Sequence, residues 1–194
     1  MRVRLSPALW VVTGFAAAFG CGAEEEAPKP SCANLTCPFD YAAFDGQTPA
    51  VSFEADVMPI FRRACGFSVC HGSATKPAAS LFLGPRCPSQ KDDPTCTTDG
   101  PDDAGRQAII DAILGVASST APAMDIVSAN DPANSFLMLK MDGCHDSAGL
   151  TCTPQPGAKG DDPCGDAMPQ TSSSLCDDER DVVRRWIAQG AKND

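Results

Sequence analysis

The chain has 194 residues, 25 acidic against 15 basic, and a formal charge of −10, which argues against nucleic acid as a partner because a surface of this sign repels phosphates. Eleven cysteines in a chain this short point to an oxidising compartment, where disulfides persist. With two histidines and no serine in a nucleophile-elbow setting, little is left for a catalytic triad, and no enzyme activity is expected.

The N-terminus opens with Arg2 and Arg4, then an apolar run from Ala8 to Phe19 interrupted by Thr13 and Gly14, then Gly20-Cys21. This is the pattern of an export signal over residues 1–20, and its apolar run is well short of the roughly 20 residues a membrane-spanning helix needs. Ala18-Phe19-Gly20-Cys21 resembles the bacterial lipobox, which implies cleavage before Cys21 and lipidation of that cysteine. The departures are Ala18 where Leu is usual and Phe19 where a small residue is usual, so ordinary cleavage nearby with Cys21 paired elsewhere is the other reading. Several acyl chains together would hold the protein stably on a membrane. Loss of Arg2 and Arg4 leaves a mature charge of −12. Residues 21–48 begin with an acidic, proline-containing stretch that has nothing to bury and reads as a tether.

A folded domain is expected over residues 49–194. Apolar periodicity is helical wherever it is clear, so the fold class is all-α. The first predicted helix covers residues 53–64, with Phe53, Val57, Ile60, Phe61 and Ala64 on one stripe, Ser52 as cap, and Pro59 either kinking it or marking its start. The second covers 106–116 with Ile109, Ile110, Ile113 and Leu114. The third starts at Asp131-Pro132, an N-cap followed by proline at the first helical position, and runs through Phe136, Leu137 and Leu139. The fourth begins at Asp177-Asp178-Glu179, buries Val182, Val183, Trp186 and Ile187, ends at Gly190, and offers an Asp181–Arg185 pair. Two long irregular stretches, 85–105 and 142–175, need stapling if they belong to a compact domain.

If Cys21 is lipidated, ten cysteines remain, and the simplest pairing joins neighbours: Cys32 with Cys37, Cys87 with Cys96, Cys144 with Cys152, and Cys164 with Cys176. Cys65 and Cys70 are left, in Cys65-Gly66-Phe67-Ser68-Val69-Cys70-His71-Gly72. Two thiols followed by a histidine are the pattern of covalent haem attachment, in which the thiols add to the porphyrin vinyl groups and the histidine binds iron. The usual spacing is two residues between the cysteines, and here there are four. Two residues must therefore bulge outward, for which Gly66 and Ser68 leave room. The alternative is a fifth disulfide between Cys65 and Cys70, with His71 an ordinary turn residue.

The chain here resembles the small cytochrome c domains of exported bacterial proteins, especially the planctomycete-type modules. The resemblance rests on Val57-Met58-Pro59-Ile60-Phe61 before the cysteine motif, the segment from Ile126 through Asn130-Asp131-Pro132 to Leu137, Met168-Pro169, and the terminal stretch from Glu179 to Ala191, in that order. It implies a cytochrome c-like helical domain with long disulfide-stapled loops. It also implies covalent haem c on Cys65 and Cys70, iron held by His71 and Met168, and Trp186 packed across the first helix near Phe61. A thioether opposite an imidazole raises the reduction potential, so the implied role is electron transfer with a redox protein partner, at the periplasmic or outer-membrane face of the cell envelope. A haem-free lipoprotein that keeps the helical frame as a structural or interaction module is the alternative. The loop acids Asp161, Asp162 and Asp166 lack the spacing of a calcium loop and read as solvated turns. Cys144-His145 lacks a preceding partner thiol and reads as a disulfide position.

Overall fold

The computed structural model describes residues 36–87, 100–154, 162–170 and 175–194. The expected signal over 1–20, the lipidation site Cys21, the first part of the tether, and Cys32, Cys96 and Asp161 lie outside the described residues. Four helical elements organise the rest, and the described residues contain isolated β-bridges but no strand. The all-α expectation holds at that level.

The first helical element, α1, comprises a π-turn at Phe53–Val57, an α-helical turn at Met58–Ile60 and a second π-turn at Phe61–Cys65. The Ser52 hydroxyl accepts the Ala55 N–H at 3.1 Å, and the Asp194 carboxylate accepts the Phe53 N–H at 3.0 Å, so two otherwise orphaned donors are satisfied. Pro59 does not end the helix. It lacks an N–H and crowds the carbonyl one turn back, and the wider i→i+5 turns on either side give the ring room while the chain keeps its direction.

Helix α2 spans Asp103–Ile113, beginning earlier than the apolar spacing indicates because the Asp102 carboxylate accepts the Gly105 N–H at 2.9 Å. It also stops earlier, since Leu114 turns extended and bridges Val127, with a second bridge between Ala117 and Asp125. Asp131-Pro132 opens a single 3-10 turn, Pro132–Asn134, before α3 runs over Phe136–Asp142. The break falls at buried Ser135, whose hydroxyl donates to the Asp131 carbonyl at 2.8 Å and accepts the Ser128 N–H at 2.9 Å. That local bonding competes with a continuous helical ladder. Gly143, at φ +70, ends α3 in the left-handed conformation. Helix α4 covers Asp177–Ala188, with Glu179 accepting the Cys176 N–H at 3.0 Å.

Phe53, Val57 and Phe61 of α1, Ile109 and Ile113 of α2, Met138 and Met141 of α3, and Val183, Trp186 and Ile187 of α4 meet in one core. The Trp186 ring stacks on Phe53 at 5.0 Å between centroids and meets Phe61 edge-on at 6.4 Å, so the terminal helix crosses α1 where the sequence places it. Its indole N–H donates to the Lys192 carbonyl at 2.8 Å.

A second, charged core joins α3 to α4. Arg184 is 0 % exposed, donates to Asp142 at 2.6 Å, and lies 3.6 Å from the centre of the Phe39 ring, with Tyr41 and Phe44 around it. Arg180 stands 3.8 Å from the same carboxylate. Asp181 pairs with Arg184, one residue short of the expected Arg185, whose guanidinium instead donates to the Asp45 carbonyl at 3.1 Å. Residues 36–48, expected in the tether, thus pack against the helices as an aromatic strap. The packed unit starts N-terminal to residue 49.

The disulfides correct the neighbour pairing. Cys37 is bonded to Cys144, 107 residues away, and Cys152 to Cys164, in place of Cys32–Cys37, Cys144–Cys152 and Cys164–Cys176. Cys87 and Cys176 are also disulfide-bonded. The neighbour rule rests on loop-closure entropy, which grows only slowly with length. Here the left-handed turn at Gly143 buries Cys144 beneath the strap, and the fold decides its partner.

Burial raises the pKa of the Asp142 carboxyl, and the Arg184 guanidinium opposes it. Replacing Asp142 by Ala leaves buried Arg184 with Asp181 as its remaining carboxylate and Arg180 without its Asp142 contact, and is expected to cost about 3 kcal/mol in urea unfolding, the lower end of the range for a broken buried pair. The double variant Asp142→Leu/Arg184→Met should recover most of that loss, and a single variant as stable as the parent would show that the pair does not organise the α3–α4 contact.

Candidate functional site

α1 ends at Cys65, where the Gly66 N–H donates to the Phe61 carbonyl at 2.8 Å. The next residues form a closed loop. The Cys70 and Gly72 N–H groups both donate to the Phe67 carbonyl, at 2.8 and 2.9 Å, and the His71 N–H returns to the Cys65 carbonyl at 3.1 Å. The neck of the loop is so tight that a Cβ on Gly72 would lie 1.9 Å from the Gly66 oxygen, which only glycine avoids. Ser68 and Val69 face outward, Val69 87 % exposed at the tip, whereas Gly66, expected to take part in an outward bulge, is buried in the neck. Arg86 lies 4.1 Å from the centre of the Phe67 ring and packs the base of the loop.

Cys65 and Cys70 are free thiols, whereas the other six described cysteines are disulfide-bonded. The fifth bridge that the cysteine count leaves open is not formed. Burial, with the nearby Cys70 adding to it, pushes the Cys65 thiol up to about 12, so it is held protonated. Cys70 is half-buried.

The His71 ring is half-buried, and its Nδ1 lies 2.9 Å from the Leu81 carbonyl oxygen. A carbonyl only accepts, so Nδ1 carries the proton and the neutral ring keeps its lone pair on Nε2. Burial lowers the pKa of His71 below the ordinary imidazole range, against the opposing pull of the Leu81 and Ala78 carbonyls. The segment that supplies those carbonyls is tied to the motif by its backbone. Ala78 N–H donates to the Cys70 carbonyl at 2.7 Å and Leu83 N–H to the His71 carbonyl at 2.9 Å. A neutral imidazole oriented by an Nδ1–H bond to a carbonyl is the state in which histidine binds a metal.

Cys65, Cys70 and His71 are therefore brought together in one loop. Met168 is positioned separately. It is half-buried, and its N–H donates to the Lys140 carbonyl near the end of α3 at 2.8 Å. Met58, Met138 and Met141 belong to the core, as their helical spacing implies for the last two.

The structure also brings together residues that the sequence does not connect. His145, expected beside a Cys144–Cys152 bridge, is buried with its Nε2 2.6 Å from the Gly165 carbonyl oxygen, and the carboxylates of Asp146 and Asp162 converge on the same nitrogen. Cys144-His145-Asp146 is visible in the sequence, but its meeting with Asp162 depends on how the 142–175 segment folds back.

While His71 binds no metal, its lowered pKa means that the unfolded chain takes up a proton first as the pH falls. Stability should then decrease as the pH drops below about 6.5 toward the lower folded value. In the metal-free protein, His71→Asn should flatten the change in urea midpoint between about pH 7.5 and about pH 5.5; an unchanged slope would place the acid sensitivity elsewhere. No family model matches the chain, and no curated protein or solved structure shows significant similarity to it.

Proposed function

We propose that this protein is an exported, lipid-anchored monohaem c-type cytochrome that carries electrons at the cell envelope and is not itself an enzyme. The observation that carries the reading is the pairing of two unbridged thiols with an oriented histidine in one pinched loop, while every other described cysteine is consumed in a disulfide. In an oxidising compartment, where the other described cysteines pair, two thiols left unbridged beside a histidine are available for a different attachment.

The residues fit a covalently attached haem. Cys65 and Cys70 would each form a thioether, with the Gly66–Gly72 neck fixing the base of the loop and the Ser68-Val69 bulge absorbing the longer spacing. His71 would offer Nε2 to iron, with the Leu81 carbonyl holding the ring against rotation through Nδ1. Met168 would be the second residue to hold the iron, on the resemblance of Met168-Pro169 to the Met-Pro turn of cytochrome c domains. A haem held by these residues would supply one-electron chemistry, and a methionine ligand in addition to histidine would raise its potential.

The helical frame, with the terminal helix crossing the first through Trp186, supports a cytochrome c-like domain. The disulfides suit an oxidising, exported setting, and no helix among the described residues is long and apolar enough to cross a membrane. Membrane attachment is assigned to lipid on Cys21. The mature charge of −12 favours a redox partner with a basic docking face.

Protein matured with haem-attachment machinery should show a Soret band and a sharp reduced α-band that survive acid-acetone extraction, and both should disappear in Cys65→Ser/Cys70→Ser. Met168→His should retain the haem and lower the reduction potential by on the order of 0.1 V or more, within the roughly 0.8 V that axial ligands span. Colourless, correctly folded protein would sink the reading in favour of a haem-free structural module.

A further inference from the structure

We propose that His145, Asp146 and Asp162 form a second metal site, selective for a zinc-like divalent cation, that fastens the end of α3 to the 162–170 segment. The site is distinct from the cysteine–histidine loop and stands whether or not haem is attached there.

The first argument is geometric. From His145 Nε2 the Asp146 Oδ1 lies at 3.2 Å, the Asp162 Oδ2 at 3.6 Å and the Gly165 carbonyl oxygen at 2.6 Å. Ligands of a tetrahedral ion with bonds of about 2.0–2.2 Å stand roughly 3.3–3.6 Å apart, so the side-chain spacings are those of a first coordination sphere. One imidazole nitrogen and two carboxylates give two negative charges against a doubly charged ion. Imidazole favours zinc and its transition-metal neighbours, whereas calcium takes six to eight oxygens.

The second argument concerns what already faces that point. The Gly165 carbonyl and the carboxylates of Asp146 and Asp162, whose ligand atoms lie within 4.8 Å of one another, all converge on His145 Nε2, which in the metal-free protein carries a proton and donates it to the Gly165 carbonyl. Two carboxylates this close need a proton or a cation between them. The His145 ring is 2 % exposed, its Nε2 points into the cluster, and its Nδ1 has no hydrogen-bond partner. A metal ion bound at Nε2 would replace the N–H···O bond to Gly165, with the ring proton carried on Nδ1 instead. The other charged groups nearby are Lys140, whose ammonium donates to the Cys164 and Gly165 carbonyls at 2.7 Å each, and Asp166. Lys140 competes with a metal for the same field without occupying the position between the carboxylates.

The third argument is preorganisation. His145 follows Cys144, which is bonded to Cys37, and Asp162 precedes Cys164, which is bonded to Cys152. The Cys164 N–H donates to Asp162 Oδ1 at 2.7 Å and leaves Oδ2 facing His145. Disulfides thus hold both ligand-bearing segments, and little chain entropy remains to be lost on binding. The carboxylates of Asp146 and Asp162, 63 % and 31 % exposed, leave a route for the ion from solvent.

The full-length exported protein is dialysed against zinc chloride, and bound zinc is counted by mass spectrometry in the parent, Asp146→Asn and Asp162→Asn. Any zinc taken up by the free thiols is common to all three and cancels. The parent should hold one more zinc than the variants, or bind it at least about tenfold more tightly, show a zinc-dependent rise in Tm that the variants lack, and keep its zinc against a hundredfold excess of calcium. Asp146 is exposed enough for its variant to fold like the parent, which keeps the comparison valid if Asp162→Asn is unstable. Equal zinc uptake and equal Tm shifts in parent and Asp146→Asn, or displacement of the ion by calcium, would overturn the site.

Discussion

A guanidinium with no access to water has to be answered by its surroundings, and Arg184 is such a group. Its position on α4 requires the Asp142 carboxylate at the end of α3 and aromatic faces on the remaining side, which Phe39, Tyr41 and Phe44 supply. Three separate parts of the chain are thereby committed to one place. Burial raises the Asp142 pKa against the pull of Arg184, and the cost of burying two charges sets a limit on how much net stability such a pair contributes. With α3 held there, Gly143 turns Cys144 toward Cys37, and Lys140 reaches the carbonyls of the 164–165 segment that leads to Met168.

The apolar core does the complementary work around α1. Trp186, Phe53 and Phe61 fix the helix at its middle, and the wide turns flanking Pro59 carry it through to Cys65 without a break. The cysteine–histidine loop thus begins at a rigid point. Everything distinctive about it, from the closed neck to the oriented imidazole, is built from backbone hydrogen bonds, so a chain that departs from the usual cysteine spacing can still present two thiols and a histidine together.

The two outer helices were legible because their signals are local. Ser52 and the apolar stripe mark α1, and three acids followed by Val183, Trp186 and Ile187 mark α4. The start of α2 was hidden because Asp102 looks like one more polar residue of an irregular stretch until its carboxylate is seen on the Gly105 N–H. The break at Ser135 was equally hidden, since a serine near a helix start gives no sign that it will be buried and bonded to Ser128 and Asp131. The loop of Cys65, Cys70 and His71 could be read as a unit because its members are contiguous. The disulfide pairing, the buried Arg184 and the meeting of His145 with Asp162 depend on distant segments, which periodicity and spacing do not report.

The Cys37–Cys144 bond has a mechanical meaning. Load arriving from the N-terminal side enters the fold at the end of α3 through a covalent link, so the aromatic strap over Arg184 cannot be unzipped contact by contact from its outer end. A protein held by its N-terminal segment would resist shear at its charged core, through the Cys37–Cys144 bond and not through the backbone bonds that shape the cysteine–histidine loop.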